Sequence, residues 1–308
     1  PRQEWTVKNS EEFFSARPPP EPGEDNSDLL EDISFTVKDI ELVCSELRGN
    51  AAPGPDGVPA MLLKTCRKQL ATPLHHLWRG SLDSGLIPPE LLLVLITPLH
   101  KGGSRAVPKN YRPVALTSHL IKVFERVLRR SLVSHMDKHH IIPDDQHGSR
   151  AMRSTLTQLL AHWDTILDGL EEGGGVDVIY LDFSKAFDKV EHGVLLHKLK
   201  ESKVLGKVGV WLARFLDSAS RQQAVVVEGS VSGLSPVISG VPQGTVLGPI
   251  LFLLHISSIA REVSPLTSLN SYVDDTRVQM RVLDSQNDCM TLRSDLQSIY
   301  NWAKDVAM

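Results

Sequence analysis

Val176-Asp177-Val178-Ile179-Tyr180-Leu181-Asp182-Phe183-Ser184-Lys185-Ala186-Phe187-Asp188 is the stretch whose reading decides the fold. Gly173, Gly174 and Gly175 interrupt a helical pattern just before it, and a β-branched and aromatic run follows, as at the start of a buried strand. Asp182 ends that run. A carboxylate in so apolar a strand is costly unless it is paired or binds a cation. A second run of the same kind is Leu269-Asn270-Ser271-Tyr272-Val273-Asp274-Asp275-Thr276-Arg277-Val278, in which two adjacent aspartates break two short strand patterns, as a tight hairpin turn does. Neighbouring positions in one sheet would bring Asp182, Asp274 and Asp275 to one edge of it. Three carboxylates that close do not all ionise without a divalent cation, and hard oxygen ligands favour Mg²⁺. Such a set suits two-metal phosphoryl or nucleotidyl transfer. The plainer reading is turn chemistry for the Asp-Asp pair and helix capping for Asp182; spacing alone favours that one.

Outward from this centre, the composition bounds the answer. The 308 residues suffice for one large domain or two ordinary ones, and 41% hydrophobic with 23% charged residues describes a globular chain. The longest apolar run, Ile87 to Leu99, holds three prolines and a glutamate, so no span and no membrane partner is expected. Cys44, Cys66 and Cys289 are scattered and odd in number, which suits thiols in a reducing, intracellular compartment, nucleus or cytoplasm alike. The net charge of −4 hides a segregation. Residues 1–60 carry 5 basic and 13 acidic side chains, whereas residues 101–153 carry 11 basic and 4 acidic. A concentrated basic block is the footprint of a phosphate-binding surface, although a solvated helix face has the same composition.

Residues 1–34, acidic and rich in proline, read as a flexible leader. A helix is predicted from Thr36 with Asp39 as its capping partner, followed by the constrained loop Pro53-Gly54-Pro55-Asp56-Gly57. Pro73 is expected to divide a helix running from Ala60 to Ser84. A strand over Leu91–Leu99 leads to Lys101 beside Gly102 and Gly103, where an ammonium and a closely approaching backbone can meet a phosphate. Arg112, extended because Pro113 follows it, offers a planar fork for a second phosphate. Amphipathic helices are expected over Leu120–Met136 and from Ser154 to Leu170, and a strand over Gln222–Val227. Gly240-Val241-Pro242-Gln243-Gly244-Thr245-Val246-Leu247-Gly248-Pro249 opens an apolar helix and puts Gln243 and Gly244 where a nucleotide can approach. Dinucleotide binding is excluded, since the glycine spacing is wrong. The chain closes with a helix over Ser285–Ala307.

In this order, residues 53–57, Lys101-Gly102-Gly103, Tyr111-Arg112-Pro113-Val114, Gln146-x-Gly148-x-Arg150, Leu181 to Asp188, Gly240 to Pro249 and Tyr272-Val273-Asp274-Asp275 resemble the reverse transcriptase domain of non-LTR (LINE-type) retrotransposons. The resemblance covers roughly residues 35–308. It implies an α+β, right-hand polymerase fold, with fingers in residues 35–175 (including part of the palm) and a ferredoxin-like antiparallel palm sheet in 176–308, the thumb missing. It also implies an RNA-directed DNA polymerase, acting on an RNA template and DNA primer with dNTPs and two Mg²⁺ ions, or Mn²⁺ in their place. By the same likeness Asp182, Asp274 and Asp275 are catalytic metal ligands. Lys101, Arg112, Phe187, Gln243 and Gly244 bind the dNTP, Phe187 by excluding a 2′-hydroxyl. Gln146 and Arg150 lie at the template side. The sequence departs from the family at Tyr272-Val273, where Phe-Ala is usual, at His147, where Phe is usual, and at Ser257-Ser258, where Asn-Asp is common. These departures and the expected lack of a thumb leave a second reading, a retroelement relic that only binds nucleic acid.

Overall fold

The computed structural model describes residues 7–15, 29–282 and 285–308. In chain order the elements are α1 (Val7–Ser15), α2 (Val37–Ser45), α3 (Ala60–Thr65), α4 (Arg67–Ser84), α5 (Pro89–Leu92), β1 (Val94–His100), β2 (Tyr111–Leu116), α6 (His119–Lys138) and α7 (Thr155–Glu171). Then come β3 (Gly175–Leu181), α8 (Ala186–Lys189), α9 (His192–Glu201), α10 (Gly206–Leu216), β4 (Gln222–Val227), β5 (Ser230–Val231) and β6 (Ser235–Pro236). The last are α11 (Gly248–Ile256), β7 (Thr267–Tyr272), β8 (Asp275–Val282) and α12 (Ser285–Asp305). The architecture is α+β.

Local chemistry accounts for most of these boundaries. Thr36 caps α2 in a full capping box with Asp39, and Ser154 caps α7 in a box with Thr157. Ser118 caps α6 through the Leu120 N–H. Pro73 does not divide the helix expected around it: the break falls at Cys66, and Pro73 lies within α4. The carbonyl that its ring leaves unbonded, four residues back at Gln69, is on an exposed residue where water can satisfy it. A further correction concerns the leader. Residues 7–15 form a helix, and its Phe14 is buried against Gly209 of α10, where a Cβ would meet the ring at 2.3 Å. The rest of the leader up to residue 28 lies outside the described residues.

Two sheets organise the chain. The first has the order β2-β1-β4-β5, with β6 also on β4; β1 and β4 are parallel and the other pairs antiparallel. The second is antiparallel, β3-β8-β7. The division expected at residue 175 is therefore crossed, since β4 returns to the sheet begun by β1. The helices share one core, in which Trp78 stacks on Phe124 (centroids 5.1 Å) and Phe124 meets Trp211 edge-on at 5.0 Å. Such aromatic pairs contribute about 0.5–1.5 kcal/mol each beyond the area they bury. α7 behaves unlike an ordinary amphipathic helix. It lays Gln158, His162 and Gly169 against the second sheet and leaves Leu156, Leu160, Trp163, Leu167 and Leu170 exposed. Among the described residues no helix is long and apolar enough to cross a membrane.

Candidate active site

The three aspartates reach one end of the β3-β8-β7 sheet through strand register. Leu181 pairs with Thr276, and Tyr272 with Asp275. Asp182, one residue beyond β3, therefore falls across from Asp275. Side chains alternate along a strand. Val278 and Met280 enter the core, so Asp275 and Arg277 face the other way, as do Tyr180 and Asp182 on β3. Tyr180 and Arg277 confirm the parity by stacking, with the guanidinium 5.5 Å from the ring centre.

Asp274 sits in the hairpin turn itself. With Tyr272 and Asp275 as the last pair, the loop is Val273-Asp274 rather than the Asp-Asp pair that the sequence suggests. Val273 has φ +61°, a rare conformation for a β-branched residue. The strain costs about 1–3 kcal/mol and persists only where the surroundings enforce it. Partial burial and the negative charges of Asp275 and Asp182 push the Asp274 carboxyl above the usual carboxylate range, against one hydrogen bond from its own backbone.

A cavity of about 820 Å³ opens beside this end of the sheet. Asp182 and Asp274 line it, and so do Lys101, Arg112, Phe187, Gln243 and Gly244. Asp275 lies on an adjoining cavity of about 510 Å³, which Asp182 also borders. Among the described residues no three carboxylate, imidazole or thiolate groups are already drawn together tightly enough to hold a metal ion. The donor set nonetheless fits one. It consists of hard oxygens, and burial together with the like charges of Asp275 and Asp182 raises the Asp274 pKa.

The walls of the larger cavity are held by main-chain contacts. Gly244 has φ +121°, and a Cβ there would meet the Ala115 carbonyl oxygen at 2.3 Å. The Ala115 N–H also donates to the Gln243 carbonyl at 2.8 Å, so the turn before α11 lies flat on β2. Below it, the Glu125 carboxylate of α6 accepts from Val246 N–H (2.6 Å) and Leu247 N–H (2.9 Å) at the entrance of α11. Complete burial pushes the Glu125 pKa up, opposed by those two N–H groups and by the buried Arg221. Phe187 stacks on Phe252 of α11 with centroids 4.2 Å apart, which fixes the ring at the cavity wall. Asp56 has the loop role expected of it, accepting from Val58 N–H at 3.2 Å and from the Ser118 hydroxyl at 2.5 Å.

Two expected positions lie elsewhere. Gln146 is 5% exposed and its amide is bonded to main chain, so it is not available to a template. Arg150 donates to the Pro143 carbonyl at 2.8 Å and pairs with Asp137 and Asp144, each at 3.6 Å. Conversely, Lys109 and Lys185 line the larger cavity and were not singled out by the sequence. Lys185 occupies the left-handed region at φ +56°, which turns the chain into α8 and cannot be read from residue type. With Lys101 and Arg112 they make four cations on one cavity, none in an ion pair among the described residues. The remaining basic block is partly spent within the fold, as Arg126 and Arg130 both pair with Glu46.

The family described as reverse transcriptase (RNA-dependent DNA polymerase) matches residues 99–308. The chain belongs to that family. It is 31% identical over 80% of its length to a "Probable RNA-directed DNA polymerase from transposon X-element" of Drosophila melanogaster, covering 27% of that protein. It is 28% identical over 88% of its length to the "RNA-directed DNA polymerase from mobile element jockey" of the same fly, covering 30%. A retrovirus-related Pol polyprotein from the type-1 retrotransposable element R2 of Popillia japonica is 27% identical over 80% of the chain and is covered to 33%. The resemblance to non-LTR retrotransposon reverse transcriptases is thus shown. The chain spans about a quarter to a third of the length of these relatives.

Proposed function

We propose that this domain catalyses RNA-directed DNA synthesis, adding nucleotides from dNTPs to the 3′-hydroxyl of a primer. One observation carries the reading: Asp182 and Asp274 share a cavity with four cations that form no ion pair among the described residues, an aromatic wall and the Gln243-Gly244 turn. In this reading β3-β8-β7 with its flanking helices is the palm, and the chain before residue 175 supplies fingers, joined by β4. Asp182, Asp274 and Asp275 would hold two Mg²⁺ ions, which when bound supply activation of the attacking hydroxyl and neutralisation of the transferred phosphate. Lys101, Lys109, Arg112 and Lys185 bind the triphosphate. Their charge counters the negative charge that spreads over phosphate oxygens in the transition state, where it accelerates the step rather than only tightening binding. The Phe187 ring, backed by Phe252, occupies the space that a 2′-hydroxyl would need. Gln243 and the flat backbone at Gly244 face the nascent base pair.

Primer extension on an RNA template with Mg²⁺ and dNTPs tests this. Wild-type protein should extend the primer, and Asp274→Asn should reduce the rate about 10²–10³-fold, the scale of removing a group that stabilises the transition state. Binding of primer and template without extension by wild type would support instead the nucleic-acid-binding relic.

A further inference from the structure

Two of the three hydrogen bonds made by the buried Gln146 amide go to the strained turn, and the third stays within its own loop. Its Oε1 accepts from the Val273 N–H at 2.8 Å and from the Gly148 N–H at 2.8 Å. Its Nε2 donates to the Val273 carbonyl at 3.0 Å. Two N–H groups aimed at one end of the amide and a carbonyl at the other admit only one orientation of the group. The neighbouring main chain adds a short ladder: His147 N–H donates to the Ser271 carbonyl at 2.8 Å, and Ser271 N–H to the Asp145 carbonyl at 3.0 Å. Gly148 completes the seat, because a Cβ there would meet the Val273 nitrogen and Cγ2 at 2.4 Å.

Val273 is the residue whose φ of +61° turns β7 into β8 and directs Asp274 to the larger cavity. Nothing local to a valine favours that conformation. We propose that Gln146 is a positioning residue for nucleotidyl transfer: its amide, seated on Gly148, holds both the N–H and the C=O of Val273, one from each peptide flanking that residue, and so sets where the Asp274 and Asp275 carboxylates point. Gln146 acts 127 positions away in sequence from the turn it holds. The catalytic part of this assignment rests on the polymerase reading above, whereas the mechanical part does not.

The test is a cycle of Gln146→Met, which keeps volume and removes the hydrogen bonds, and Val273→Gly, which adopts positive φ without strain. Amide hydrogen exchange on the free protein reads the turn directly. In Gln146→Met the amides of residues 271–276 should exchange at least about tenfold faster, with α10 and α11 unchanged. In primer extension, Gln146→Met should lower kcat about 10–100-fold, as a displacement near 1 Å does, with KM for dNTP within about twofold. Adding Val273→Gly to Gln146→Met should recover much of that kcat, because the turn then no longer needs holding. Unchanged exchange in Gln146→Met, a loss expressed in KM alone, or no recovery in the double variant would overturn the proposal. A wild-type chain that extends no primer would count against the polymerase reading, and the exchange result would then decide the clamp by itself.

Discussion

Asp274 is a single residue whose charge is costly in the folded chain. Its carboxyl is raised by burial and by its two acidic neighbours, so the folded chain holds that proton more tightly than the unfolded chain does. The stability this confers is present at low pH and is lost as pH rises from the ordinary value of 3.8 through the raised one. At neutral pH, without divalent cations, the charge is a net penalty. Asp274→Asn should therefore stabilise the fold at pH 7, by about 0.5–2 kcal/mol in denaturant unfolding, the usual range of a single stabilising substitution. The gain should vanish near pH 4, and an equal gain at both pH values would show that charge is not its cause. At this scale the sequence was informative about chemistry and poor about contacts. An aspartate ending an apolar strand is conspicuous in one dimension. The seat of Gln146 on Val273 is not, because it joins segments that only the folded chain brings together.

At the scale of elements, the capped helices and the two hairpin strands were legible because their determinants are local. Thr36 with Asp39 and Ser154 before α7 place helix starts within a residue, and β4 is found over the residues anticipated for it. Pro73 was misjudged, since whether a proline breaks a helix depends on whether solvent reaches the freed carbonyl. The apolar stripe of α7 was also misleading: the helix meets the sheet through polar contacts, with Arg281 of β8 pairing with Glu172 at 2.7 Å and Asp168 at 3.3 Å. Ser258, standing where the family commonly has Asp, accepts instead from Lys198 at 2.7 Å and from the Trp302 indole at 2.9 Å. Desolvation lowers the Lys198 pKa to about 8 there. The α6–α11 junction yields a test. Glu125→Ala leaves the part-buried Val246 and buried Leu247 N–H groups at the entrance of α11 without their acceptor and should cost about 2–6 kcal/mol, at 1–3 kcal/mol per unsatisfied group. Glu125→Gln, which retains an accepting oxygen, should cost less. A neutral Glu125→Ala would mean that the Gln243-Gly244 turn does not depend on this anchor.

For the molecule as a whole, charge segregation was readable in sequence, but its distribution in space was not. Part of the basic block is paired within the fold, and Lys101, Lys109 and Arg112 are left on the cavity with Lys185, which precedes α8. Since these four cations are assigned to the triphosphate, dNTP binding should weaken steadily as salt rises and screens them. A flat response would remove them from the binding surface. The interleaving of the sheets was equally hidden, because parallel pairing of β1 with β4 leaves no signature in either strand alone.

All of this converges on three carboxylates gathered at one end of a three-stranded sheet. Counting Mn²⁺ bound per chain by electron paramagnetic resonance, with a dNTP present, examines that gathering directly. Two ions per wild-type chain, with weakened binding in Asp182→Asn, is the expected result. Binding that Asp182→Asn leaves unaltered, or no binding by the wild-type chain, would contradict it.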